Sequence, residues 1–151
     1  MATIDIKLLK KLRDETSISV SECRQALEEA NGDYAKALSL LKARAAEKAA
    51  KKADRATGEG VIEAYIHGNG KIGVMVEVLC ETDFVARTDE FKHLAHEVAM
   101  QIAAMNPKDA EELLAQEYIK DSSVTIEQMV KEAIQKTGEN IKIQRFTRFE
   151  L

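Results

Sequence analysis

The sequence predicts an α+β protein. A three-helix bundle is expected over residues 1–45, a helical linker over 46–60, and over 61–151 a three-stranded antiparallel sheet with helices packed on one face. Three observations carry this reading. Apolar residues recur at helical spacing in three short segments. A stretch rich in alanine and lysine, without large apolar residues, comes next. From Val61 onward the apolar period changes to two, the signature of strands.

In the first helix, TIDIKLLKKLRDE, Thr3 is the expected N-cap, and Ile6, Leu9 and Leu12 share a face. The second opens on Ser19–Glu22, a capping-box pattern, and is expected to bury Val20, Cys23, Ala26, Leu27 and Ala30. Asn31-Gly32 ends it, because a helix terminus often needs a left-handed residue that glycine adopts without strain. Asp33 caps the third, with Tyr34, Ala37, Leu38 and Leu41 inward. The stretch 42–60 that follows is built of residues with high helix propensity, so the third helix is expected to continue as an exposed rod and fray near Thr57-Gly58.

VIEAYIH and IGVMVEVLC flank a Gly-Asn-Gly turn, a hairpin pattern in which Ile72, Val74, Val76 and Val78 share one face. A helix over DEFKHLAHEVAMQIAAM turns Phe91, Leu94, Ala95, Val98, Ile102 and Met105 inward and stops at Asn106-Pro107. Asp109 caps a short helix over 109–117. Thr125 and Gln128 form a second capping box, and Gly138 ends that helix. NIKIQRFTRFEL closes the chain as a strand whose apolar phase slips between Ile143 and Phe146, which predicts a bulge.

Composition narrows the possible functions. With 45% hydrophobic and 32% charged residues, the chain has the make-up of a soluble globular protein. No apolar run approaches the roughly 20 residues that span a bilayer, and the N-terminus lacks a signal-peptide core, so a cytoplasmic protein without a membrane partner is expected. Cys23 and Cys80 are expected to be reduced, packed thiols. Residues 1–56 carry 12 basic against 9 acidic side chains and residues 57–151 carry 10 against 17. A basic excess of three is too small to predict direct nucleic-acid binding.

No catalytic set emerges, so the protein is not expected to be an enzyme or to use a metal or other cofactor. His93 and His96 stand three apart beside Glu97, but HLAHE is not a zinc motif, and both lie off the apolar helix face. GNGKIG lacks phosphate-loop spacing and lies in a hairpin turn. What remains is surface recognition. Phe84, one of only four phenylalanines, falls between Asp83 and Val85 where a strand has ended and the next helix has not begun. By pattern alone it either covers the edge of its own core or projects as an aromatic anchor for a partner.

A resemblance favours the anchor. LLKKLRDETSISVSECRQALEEANGDYAKAL, GKIGVMVEVLCETDFVARTDEF, VAMQIAAMNP and KTGENIKIQRFTRFEL resemble the bacterial elongation factor Ts family nearly end to end, with TDFVA after the GKIGV strand the most specific element. The resemblance implies guanine-nucleotide exchange on elongation factor Tu, bound to GDP or nucleotide-free. The partner-binding residues it implies are Thr82, Asp83, Phe84 and Val85 in the loop, which inserts near the GTPase switch and Mg2+ region, and Ile18, Ser19 and Val20 on the N-terminal domain. Three departures stand out: Thr16-Ser17-Ile18-Ser19 in place of a glycine-containing turn, Leu79 in place of asparagine, and only 16 residues, 108–123, where many members carry a helical hairpin. Because the chain is so short, a homodimer is expected, the second copy standing in for the missing half. The N-terminal helices alone also resemble ubiquitin-associated domains, which leaves a protein-binding adaptor as the alternative.

Overall fold

A computed structural model describes residues 4–151, and the chain divides into two compact units, Met1–Lys51 and Lys52–Leu151. The first unit is helical: α1 (Ile6–Thr16), α2 (Val20–Glu29) and α3 (Tyr34–Lys52). Its core is Leu12, Cys23, Ala26, Leu27, Ala30, Ala37 and Leu41. Thr3 lies outside the described residues. The side chain that caps α1 belongs to Asp5, which accepts from the Lys7 backbone N–H at 2.8 Å. Two side chains assigned inward stand outside instead. Ile6 and Val20 each occupy the first position of their helix and are exposed. Ser19 caps α2 as expected, while the Glu22 carboxylate accepts from the Ser19 hydroxyl and pairs with Lys48 of α3. Asn31 and Gly32 both have positive φ, and the Gly32 N–H returns to the Leu27 carbonyl.

α3 is not the free rod that its composition suggests. Ala45 and Ala49 are buried, and Arg44 and Lys48 reach Glu29 and Glu22 of α2. The helix also ends at Lys52, earlier than its propensity predicts. A local cause is visible within the second unit, where the buried Asn140 amide donates to the carbonyls of Ala53 (3.3 Å) and Arg55 (2.9 Å). Those bonds hold the backbone in a non-helical course.

The second unit comprises β1 (Glu59–His67), β2 (Ile72–Cys80), α4 (Asp83–Ala86), α5 (Asp89–Met105), α6 (Ala110–Ala115), β3 (Glu117–Tyr118), β4 (Asp121–Thr125), α7 (Ile126–Thr137) and β5 (Lys142–Glu150). β1, β2 and β5 form an antiparallel sheet in the order β1-β2-β5, and α5 packs across β1 and β2. Val74, Val76, Val78 and Cys80 are buried beneath it, facing Phe91, Leu94, Ala95, Val98 and Ile102 of the core. Met105 departs from its assignment: it is 50% exposed at the last position of α5. The predicted bulge is present. Glu77 pairs with Arg145 and Val78 with Ile143, so Gln144 is the extra residue. The Thr125–Gln128 capping box forms in both directions.

The sequence reading missed two elements. α4 is a single helical turn at the position read as a loop. The β3–β4 hairpin occupies the short connection after α6 and rests on α5 through polar side chains. There Gln101 donates to the Glu117 carbonyl (3.0 Å) and accepts from the Ile119 N–H (3.0 Å).

Candidate functional site

The loop that follows β2 is built around Thr82. Its extended backbone makes it the N-cap of α4, and its hydroxyl oxygen accepts from the Val85 N–H at 3.4 Å. Asp83, in the first turn, pairs with Arg87 at 3.0 Å, where its charge also complements the helix N-terminus. Ala86 turns inward and is buried, so the same turn sends Phe84 outward, 78% exposed. Phe84 therefore does not cover its own core. Burying a phenylalanine stabilises by roughly 1.5–3 kcal/mol, and this side chain leaves most of that unrealised.

The cap itself is braced from the far end of the unit. Glu139, in the turn between α7 and β5, accepts from the backbone N–H groups of Glu81 (3.2 Å) and Thr82 (3.0 Å) and from the Thr82 hydroxyl (2.7 Å). Glu81 returns the bond by accepting from the Asn140 N–H at 2.7 Å and lies 3.5 Å from Arg55. The buried Cys80 thiol donates to the Thr82 carbonyl at 3.2 Å. Burial, then the Glu139 charge, pushes the Cys80 thiol above its ordinary range, so it stays protonated at neutral pH. A packed, protonated thiol is a poor candidate for a bridge to another chain.

Of the predicted partner-binding residues, Thr82, Asp83, Phe84 and Val85 thus lie on one capped turn of the second unit. Ile18, Ser19 and Val20 lie together in the first unit, where with Arg13, Asp14 and Ser17 they line an open depression of about 440 Å³. The bracing residues Glu139 and Asn140 escaped the sequence reading, because their partners are 57 to 87 positions away. His93 and His96 are exposed on α5, off its apolar face, and His96 makes surface contacts there. Its Nδ1 lies 3.2 Å from Glu63, and its ring meets Tyr65 edge-on.

The second unit thus carries an exposed aromatic on a helical turn whose cap is braced by Glu139. Comparison with known proteins gives the family. Residues 81–151 match the family model Elongation factor TS. The chain is 42% identical to elongation factor Ts of Thermosipho melanesiensis, over 97% of this chain and 97% of that protein. With elongation factor Ts of Thermotoga maritima the identity is 42%, covering 98% and 96%. With that of Carboxydothermus hydrogenoformans it is 40%, covering 98% and 89%. The chain belongs to the elongation factor Ts family. The first of these alignments runs over 191 residues against 151 in this chain, so that relative carries at least 40 positions with no counterpart here.

Proposed function

We propose that this protein is a guanine-nucleotide exchange factor for elongation factor Tu in translation elongation. It acts by differential binding and changes no covalent bond. A GTPase holds its nucleotide largely through phosphate, Mg2+ and backbone contacts. A partner that binds the empty state best weakens nucleotide binding by the same factor, because coupling between two sites is reciprocal. Phe84 is the wedge that selects the empty conformation near the switch and Mg2+ region, with Asp83 as its polar neighbour. Ile18, Ser19 and Val20 supply a second contact, on the first unit. The observation that carries this reading is the 78% exposure of Phe84 on a turn whose cap is held by Glu139. Family membership supplies the partner.

The test is release of labelled GDP from purified elongation factor Tu. The parent accelerates release strongly, and Phe84→Ala loses roughly ten- to a hundredfold of that acceleration with unchanged helicity, the range set by burial of one phenylalanine. A Phe84→Ala protein that exchanges like the parent refutes the wedge. A parent that does not exchange at all returns the adaptor reading.

The same reading includes a homodimer. The sheet face opposite α5 leaves Ile62, Ile66, Met75 and Phe149 exposed, an apolar patch unusual for a surface that stays in water. Glu77 and Arg145 pair directly across strands on that face. One patch bearing both charges and apolar side chains is suited to an isologous contact with its own copy.

A further inference from the structure

α4 is one turn long, and a single turn has no stability of its own, since helix nucleation is unfavourable before further hydrogen bonds accumulate. The direction in which Phe84 projects must therefore be set from outside the turn. Every hydrogen-bonding group of Thr82 is engaged in setting it. The N–H and hydroxyl donate to the two oxygens of Glu139, the hydroxyl also accepts from Val85, and the carbonyl accepts from Cys80 and from the Ala86 N–H. Hydrogen bonds to an ionised carboxylate are shorter and stronger than neutral ones, so Glu139 is the dominant hold. Glu139 is itself held. Gly138 before it receives the Arg55 guanidinium on its carbonyl at 3.4 Å, and Asn140 after it is tied to Glu81, Ala53 and Arg55. The three segments 53–55, 81–82 and 138–140 close a ring around the base of the loop.

We infer that Glu139 is a positioning residue for partner engagement: its carboxylate fixes the cap from which Phe84 projects, so the aromatic meets the partner surface pre-aimed. This rests on the exchange reading above and deepens it. A pre-aimed side chain loses less conformational freedom on binding than one that must first be ordered. Glu139 itself touches no partner atom in this scheme and acts only through Phe84.

That dependence gives the test, a double-mutant cycle on elongation factor Tu-dependent GDP release with the parent, Glu139→Ala, Phe84→Ala and the double variant. Glu139→Ala is expected to lower exchange about tenfold, the loss of one or two charged hydrogen bonds. Glu139→Gln, whose amide oxygen keeps one acceptor, falls between it and the parent. In the Phe84→Ala background Glu139→Ala changes exchange less than about twofold, because nothing remains to be aimed. A general scaffold defect would lower exchange equally in both backgrounds, and that result overturns the proposal. So does normal exchange by Glu139→Ala alongside an impaired Phe84→Ala. A Phe84→Ala protein that exchanges normally is a separate result, which removes the wedge reading and this role with it. If Glu139→Ala does not fold at the assay temperature, the cycle is run with Glu139→Gln, with a loss of about threefold expected in the parent background only.

Discussion

The hydroxyl of Tyr118 donates to the carboxylate of Glu97, a side chain that α5 holds only 3% exposed, and Lys120 reaches the same carboxylate at 2.9 Å. Through this contact and that of Gln101, the β3–β4 hairpin is anchored to the core. Removing Glu97 leaves the part-buried Tyr118 hydroxyl without its acceptor, while the half-exposed Lys120 ammonium returns to water. Glu97→Ala is expected to destabilise the protein by about 2 kcal/mol and Tyr118→Phe by about 1.5 kcal/mol, read from urea midpoints.

The same carboxylate makes stability pH-dependent. Burial raises the Glu97 pKa, but the Tyr118 and Lys120 hydrogen bonds outweigh it and leave it below its ordinary value of 4.5. A carboxylate with a depressed folded-state pKa stabilises the fold fully above its unfolded value and loses that contribution as pH falls through the folded one. Glu22, held below 4.5 chiefly by its hydrogen bond to Lys48, acts in the same direction. Thermal midpoints are therefore expected to be flat from pH 6 to 7 and to fall below about pH 4.5, with a shallower fall in Glu97→Gln.

Phe84→Ala separates stability from function. With most of its surface already in water, Phe84 contributes little to folding, and the variant's melting curve is expected to match the parent's within about 0.5 kcal/mol. Loss of exchange without loss of stability is the signature of an interface anchor.

Gly60 is the most demanding glycine in the sheet. It pairs with Leu79 in the β1–β2 ladder at φ 154°, and a Cβ there would sit 2.2 Å from the Val78 carbonyl oxygen and 2.8 Å from the Leu79 Cα. Both obstacles are backbone and cannot move aside as a side-chain tip would. Gly60→Ala is expected to cost about 3 kcal/mol, visible as a lowered denaturation midpoint.

Sedimentation tests the open sheet face. The parent is expected to run as a dimer at micromolar concentration, and Met75→Glu or Phe149→Glu as folded monomers, since an added charge at an apolar contact must be desolvated. A monomeric parent rules the dimer out.

Periodicity and local capping rules were enough to assign the three N-terminal helices, the hairpin, α5, α7 and the bulge, because each depends on residues within a few positions of one another. The α5 stripe from Phe91 to Ile102 is legible for that reason, as is the Thr125–Gln128 box. Glu97 and Gln101 show the limit of that logic. Neither belongs to the apolar stripe that spacing picks out, yet a hairpin 16 to 21 residues on, whose strands are too polar to show an apolar period, covers both. Phe84 shows the same limit at the site. The sequence by itself marked it as an aromatic out of place and left two destinations open. Only the tertiary structure decided that it faces outward, because the carboxylate that sets its direction belongs to Glu139, and no local pattern connects two residues whose contact exists only after the chain has folded.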